Sequence, residues 1–135
     1  MTATLSPEHT PTKVATTERE KALNDVFTTA LEGGIGYWSQ CSRYFWSTNG
    51  ELNGQAADFI AVVQDVEDDE GTAYVIDAAV IASGIRKAYA HGGWADYHAT
   101  ALRMLNFGKW DEVDYDSDTA DLIVQFGLFG EQVYA

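Results

Sequence analysis

The apolar positions of the chain first repeat with the period of a helix, between residues 17 and 32. They lie on one helical face: Leu23, Val26, Phe27, Ala30 and Leu31. Thr17 and Glu20 match a capping box at the start of this segment. Gly33 and Gly34 follow its end, where glycine tolerates the left-handed conformation that closes many helices. The pattern predicts a first helix from Thr17 to about Glu32.

The period then changes to that of extended strands. Residues 35–47 (IGYWSQCSRYFWS) alternate, so one face of the predicted strand carries Trp38, Tyr44 and Trp46 and the other carries Tyr37, Cys41 and Phe45. Residues 48–56 contain two Asn-Gly pairs, which favour a tight hairpin turn, and residues 58–66 return as a second strand. An acidic loop, 67–71, leads to a short third strand over residues 72–76.

Helical spacing returns after Asp77, which is a candidate N-cap for a second helix. Its apolar face consists of Ile81, Ile85, Ala88 and Tyr89, and the pair Gly92-Gly93 ends it. Gly84 lies in the middle of this helix, where glycine costs about 1 kcal/mol relative to alanine. We therefore expect Gly84 to pack closely against another backbone.

Two further helices complete the predicted fold. The third covers residues 96–106 with the apolar stripe Ala101, Leu102 and Leu105, and the fourth begins near Thr119 with Leu122, Phe126, Phe129 and Val133 on one face. The order αβββααα indicates an α+β fold, in which a three-stranded antiparallel sheet packs against about four helices. Residues 1–16 contain both prolines and no apolar period, so we expect a flexible tail before a single domain over residues 17–135.

Charge and cysteine content narrow the classes of partner. The 21 acidic and 8 basic side chains give a net charge of -13, which repels nucleic acid and suits either solubility or a partner protein with a basic surface. Cys41 is the only cysteine, so no intramolecular disulfide can form, and no export signal or membrane-spanning stretch is visible. We expect a cytosolic protein that binds neither membrane nor nucleic acid directly.

Five aromatic residues within ten positions mark the first predicted strand as a candidate binding surface. We call Tyr37, Trp38, Tyr44 and Trp46 the aromatic hairpin, to which Phe45 adds a fifth ring. The first interpretation is packing, with one sheet face covered by helices and the other by the tail or by a second subunit of a homo-oligomer. A hot spot for a partner protein is the second interpretation, and stacking of a planar ligand is the third.

The acidic residues fall into two clusters. The first candidate surface contains Asp68, Asp69 and Glu70, next to Asp65 and Glu67, and the second contains Asp111, Glu112, Asp114 and Asp116. Asp114, Asp116 and Asp118 resemble the opening of a calcium loop, but Thr119 replaces the required glycine and Gln125 the required glutamate. We therefore predict no metal site. If the two clusters shared one surface, their carboxylates could imitate the phosphates of a nucleic acid.

Catalytic chemistry has weaker support in the sequence. His91, Asp96 and His98 could serve a metal or a proton transfer, and Cys41 could be a nucleophile, but no zinc-ligand spacing or catalytic motif accompanies them. The segment Gly33–Gly36 follows a helix end, whose dipole disfavours phosphate, so we interpret it as a helix stop. We predict no cofactor. A pocket containing His91 or His98 beside a carboxylate would indicate an enzyme.

Two segments resemble motifs of small, uncharacterised, acidic proteins of actinobacterial bacteriophages. They are residues 30–38 (ALEGGIGYW) and 118–131 (DTADLIVQFGLFGE), and residues 83–86 (SGIR) between them also fit the pattern. The resemblance covers the chain from about residue 17 to its end. It implies a phage accessory protein that acts in the host cytoplasm, and it transfers no known chemistry.

The leading hypothesis is a non-enzymatic phage accessory protein that binds and modulates a host protein. It would use the aromatic hairpin or the acidic surface, and a mimic of nucleic acid is the sharper form of this hypothesis. The alternative is a protein that sequesters a nucleotide-like molecule by stacking it on Trp38, Tyr44 or Trp46. In that alternative the positive charge would come from Arg43, Arg86 or Lys87.

Overall fold

The computed structural model describes residues 18–46 and 59–135, and these form four α-helices and three β-strands. In chain order the elements are α1 (Glu18–Thr29), β1 (Ser39–Trp46), β2 (Phe59–Asp65), β3 (Ala73–Asp77), α2 (Ala78–His91), α3 (Asp96–Asn106) and α4 (Ser117–Phe129). A π-helical turn, Ala30–Gly34, extends α1. The predicted α+β fold and its order αβββααα are confirmed. No helix in these two ranges is long and apolar enough to cross a bilayer.

The three strands form one antiparallel sheet in the order β1-β2-β3. β2 is the central strand, and its alternate residues Phe59, Ala61, Val63 and Asp65 are buried. This period of two is the pattern of an antiparallel sheet with one face on the core. Helices cover that face, and the largest fully buried side chains include Trp38, Phe27, Phe59 and Phe126.

A bulge in β1 changes which of its side chains face the core. The register shifts between Cys41 and Arg43, so Cys41 lies opposite Val63 and Tyr44 lies opposite Ala61. Both partners on β2 are buried, and Cys41 packs against the core. The prediction that Cys41 and Tyr44 lie on opposite faces is therefore wrong, because the extra residue of a bulge reverses the alternation beyond it.

The chain enters β1 later than its aromatic content suggests. The strand begins at Ser39, four residues after the predicted start, since Ile35 still donates its N–H to Ala30 O (2.9 Å) in the π-helical turn. A Cβ added to Gly34 would lie 2.6 Å from the carbonyl oxygen of Ser117, so glycine lets this turn approach the start of α4. Helical structure ends after Gly34, so the segment does stop the helix, but Gly33 and Gly34 have no positive φ and the predicted left-handed conformation is wrong.

Helices α2 and α4 touch through their backbones. A Cβ on Gly84 would lie 2.0 Å from the carbonyl oxygen of Ile123, and a Cβ on Gly127 would lie 2.4 Å from that of Val80. The predicted close packing at Gly84 is confirmed. Asp77 caps α2 as predicted, because its side chain accepts the N–H of Val80 (3.0 Å).

Helix α4 ends earlier than its apolar period predicts. Gly130 adopts the left-handed conformation (φ 75°) that glycine tolerates, and its N–H closes the helix on Phe126 O. Val133 therefore lies outside the helix and is exposed, not on the apolar face of α4. The predicted tail (1–16), Thr17 and the predicted hairpin turn (48–56) lie outside the described residues.

Candidate functional site

A buried carboxylate on α4 organises the polar interior of the protein. Asp121 is only 6% exposed, and its two oxygens accept three hydrogen bonds. The Tyr37 hydroxyl donates to Oδ2 (2.6 Å), while Trp38 Nε1 and Gln125 Nε2 each donate to Oδ1 (2.9 Å). Three donors satisfy a carboxylate that would otherwise be costly to bury. The glycine-rich turn before β1 positions the two aromatic donors.

Gln125 binds the last residues of the chain to this network. Its side chain is fully buried, and its Oε1 accepts the backbone N–H groups of Val133 (2.7 Å) and Tyr134 (2.8 Å). Its Nε2 donates to the carbonyl oxygen of Tyr134 (3.0 Å) as well as to Asp121. The side-chain amide thus pairs with backbone groups as a neighbouring strand would.

Tyr134 closes the network from the other side. Its ring stacks on Trp38 (centroids 5.3 Å apart), and its hydroxyl donates to Asp65 Oδ2 (2.6 Å). That hydrogen bond, followed by desolvation, raises the pKa of Tyr134 from 10.0 to about 12. The segment after α4 therefore joins α4 to the end of β2.

An open cleft of about 490 Å³ lies over this network. The walls that matter for its chemistry are Tyr37, Trp94, His98, Asp118, Asp121 and Leu122. Trp94 is held in place because its Nε1 donates to Ala88 O (2.8 Å) and its ring meets Phe126 edge-on. Tyr37 is 47% exposed, and Asp118 is exposed in the first turn of α4. The cleft combines two carboxylates with two aromatic walls.

The electrostatics of the cleft favour positive charge. Desolvation, the hydrogen bond to Asp121 and the charges of Asp121 and Asp118 raise the pKa of the Tyr37 hydroxyl well above its usual value. Tyr37 is therefore a neutral donor at ordinary pH. Within the described residues no Lys or Arg forms an ion pair with Asp118 or Asp121.

His98 lies in the cleft with one ring nitrogen engaged. Its Nδ1 is 2.8 Å from Thr119 Oγ1, and the Thr119 hydroxyl donates to Asp116 Oδ1 (3.2 Å). Since that hydroxyl gives its proton to Asp116, Nδ1 is assigned as the donor to Thr119 and Nε2 as the acceptor of the neutral ring. His91 packs beside the cleft wall Trp94 and beside Phe126 but does not line the cleft, and its Nδ1 is 2.8 Å from Gly92 O.

The structure places the three described side chains of the aromatic hairpin in different surroundings. Trp38 is 0% exposed, so the prediction that it offers a stacking surface is wrong because core side chains cover it. Tyr44 is 38% exposed, but its ring packs on Phe27 and its hydroxyl donates to Asn24 Oδ1 (2.7 Å). Tyr37 contributes to the cleft, and the side chain of Trp46 lies outside the described residues.

The first acidic cluster lies near the last residues of the chain. The negative charge of Asp68 contributes to the raised pKa of the Tyr74 and Tyr134 hydroxyls. Hydrogen bonds from the Thr72 hydroxyl and from Glu70 N lower the pKa of Asp68, which organises its own loop. Asp69 is exposed beside it.

The second acidic cluster lies on a different part of the fold. Asp116 caps α4 by accepting the N–H of Thr119 (3.0 Å), a bond that lowers its pKa. Glu112 and Asp114 line a groove with Tyr97, whereas Asp111 borders α1. These two clusters therefore have different neighbours.

The remaining candidates have structural partners. Cys41 Sγ donates to Arg43 O (3.2 Å), and burial raises the pKa of the thiol, which disfavours a nucleophilic thiolate. Arg43, exposed on β1, and Arg86, exposed on α2, belong to separate elements. Within residues 18–46 and 59–135, no group of three His, Cys, Asp or Glu side chains is arranged to hold a metal ion.

Sequence reasoning did not single out Asp121, Gln125 or Trp94, although it named Tyr37 and His98, which line the same cleft. Asp121 and Gln125 are spaced by four in the part of α4 after Thr119, whose other residues are apolar, and this polar pair on a core face was the available signal. Trp94 follows a glycine pair and has no periodic pattern. Comparison of the chain with protein-family models, curated proteins and solved structures gives no match.

Proposed function

We propose that this protein is a non-enzymatic binding module that docks on a basic surface of a partner protein. The cleft over Asp121 receives a lysine or arginine side chain of that partner. The observation that carries the proposal is the joint presence of Asp118, Asp121 and two aromatic walls in one open cleft. By the phage resemblance, the partner is a host protein in the host cytoplasm.

Charge complementarity selects a cationic occupant. The chain carries a net charge of -13, and Lys21 with Glu18 (3.8 Å) is the one ion pair of the described residues. Among the described residues, no Lys or Arg forms an ion pair with the acidic side chains that line the cleft. An approaching basic surface would be steered by this field and held by Asp118 at short range.

The aromatic walls add a contact that simple charge attraction lacks. A guanidinium or ammonium group within about 6 Å of an aromatic face gains roughly 0.5–2 kcal/mol, and Trp94 and Tyr37 offer such faces. The Tyr37 ring is held by its hydroxyl bond to Asp121. The cleft therefore has a preformed geometry for the end of a basic side chain.

The test is calorimetric titration with an oligoarginine peptide at low and high salt. Asp118→Asn should weaken binding by about fivefold, or roughly 1 kcal/mol. Asp69→Asn removes the same charge from a residue that does not line the cleft and should change affinity much less. A neutral Gly-Ser peptide should not bind.

Two results would contradict this proposal. Equal loss of affinity in Asp118→Asn and Asp69→Asn would mean diffuse attraction without a site. Affinity that does not change with added salt would remove charge as the driving term, and with it the idea of a nucleic-acid mimic. Thermal unfolding of both variants checks that the fold is retained.

The same cleft favours acid–base catalysis as a second candidate function. The specific observation is that His98, oriented through Thr119, shares the cleft with Asp118 and Asp121. A screen of small ester, amide and phosphate substrates distinguishes the two functions. Turnover that His98→Gln abolishes would support catalysis, whereas peptide binding without turnover supports the binding module.

A further inference from the structure

A second cleft, bordered by basic instead of acidic side chains, lies where α1, α2 and α3 meet. Its volume is about 330 Å³, at the lower end of small-molecule sites. The floor is apolar, formed by Leu23, Ile85 and Leu105, each 4% exposed. Trp110 forms one wall, and its Nε1 donates to Leu105 O (3.3 Å).

Two arginines border this cleft. Arg19 of α1 and Arg86 of α2 both line it, and both side chains are exposed. In the described part of the chain neither guanidinium has an ion pair, although acidic residues outnumber basic ones by 21 to 8. Of the two acidic residues that flank Arg19 in sequence, Glu18 is paired with Lys21. A protein rich in carboxylates thus leaves two guanidinium groups unpaired at one site.

We infer that this cleft binds an anion that carries a flat apolar ring. The two guanidinium groups would bind the phosphate or carboxylate, because their planar donor sets match those groups. The ring would lie against Trp110 over the apolar floor. Glu18, Asp25 and Asp111 line the neighbouring groove beside Trp110, and among the described residues no acidic side chain lines this cleft itself.

This inference is independent of the proposed docking function. It uses different residues, since His98 and Leu105, which line the first and the second cleft from α3, lie near opposite ends of that helix, and it does not involve the aromatic hairpin. The alternative hypothesis placed a nucleotide-like ligand on β1, whereas this inference places it in the cleft between helices. Of the cations named in that hypothesis, only Arg86 takes part.

The test is a titration of the full chain with four probe molecules, in which binding is measured by Trp fluorescence and by calorimetry. Adenosine 5′-monophosphate supplies ring and phosphate, and 2-naphthoate supplies ring and carboxylate. Adenosine lacks the charge, and inorganic phosphate lacks the ring. Saturable binding is expected for at least one of the first two probes, and the better of them identifies the anionic group. The last two should bind at least about tenfold more weakly.

Matched variants then locate the site. Arg19→Gln and Arg86→Gln should each weaken binding of that probe by about tenfold. Lys87→Gln removes the neighbouring charge on α2 without touching the cleft and should leave binding within about twofold. The inference is overturned if neither ring-bearing anion binds, if adenosine binds as well as its monophosphate, or if Lys87→Gln costs as much as Arg86→Gln.

Discussion

Gln125 connects two distant parts of the fold through a single side-chain amide. Its oxygen accepts two backbone N–H groups of the segment after α4, and its nitrogen donates to Asp121 and to Tyr134 O. The side chain is fully buried, so water does not replace these partners easily. Leaving buried donors and acceptors unpaired costs more than the hydrogen bonds themselves contribute.

Replacing Gln125 by methionine should therefore destabilise the protein strongly. The side chain keeps its length but loses its polar partners, and we expect the free energy of unfolding to fall by about 2–4 kcal/mol. Gln132→Met is the control, since Gln132 is exposed and makes one bond to Tyr134 O (3.2 Å). Urea denaturation measures both, and equal losses would contradict the role assigned to Gln125.

Tyr134 should make stability sensitive to alkaline pH. Its folded pKa, about 12, lies above the ordinary value of 10.0, so the folded state retains the hydroxyl proton that the unfolded state releases. This contribution is fully present below pH 10 and is lost as the pH rises towards 12. Tyr134→Phe keeps the ring on Trp38 and should show a shallower alkaline loss in unfolding midpoints measured across that window. An identical loss in both proteins would contradict the assignment.

At the scale of elements, the backbone contact between α2 and α4 determines how closely the helices approach. Gly84 and Gly127 each face a carbonyl oxygen of the opposite helix. On helix propensity alone, alanine at position 84 would stabilise α2 by about 1 kcal/mol. Packing predicts the opposite sign, because the new methyl group would overlap Ile123 O.

Gly84→Ala should lower the free energy of unfolding by about 3 kcal/mol or more, as expected for overpacking against rigid backbone. Gly36→Ala is a suitable control, because an added Cβ at Gly36 meets nothing within 4 Å. Chemical denaturation of the two variants gives the comparison. A Gly84→Ala protein as stable as the parent would show that the helices are not in backbone contact.

The sequence was sufficient to predict the elements and their order, but not their fine geometry. The helical and strand periods and the Asp77 cap depend on local sequence. The close packing at Gly84 could be predicted because a glycine inside a helical pattern is itself a local signal. The bulge at Cys41 depends on register against β2, and the cleft depends on Asp121 meeting aromatic residues 83 and 84 positions away. Contacts at that separation leave no local pattern in one sequence.

At the scale of the whole molecule, acidic and basic side chains line different clefts. The cleft over Asp121 is lined by acidic and aromatic residues, whereas the α1–α2–α3 cleft has two arginines and Trp110. The large net negative charge alone would predict only general attraction for basic surfaces. The acidic and aromatic side chains of the cleft over Asp121 add a more specific expectation, namely that a basic side chain binds in this one cleft.

Indole N–H signals in a two-dimensional NMR titration test this expectation most directly. Trp38 Nε1 is bonded to Asp121, Trp94 forms a wall of the same cleft, and Trp110 belongs to the other one. On addition of oligoarginine peptide, we predict that the Trp38 and Trp94 signals shift together with one dissociation constant while the Trp110 signal stays unchanged. Unchanged Trp38 and Trp94 signals, or an equal shift of the Trp110 signal, would contradict binding in the cleft over Asp121.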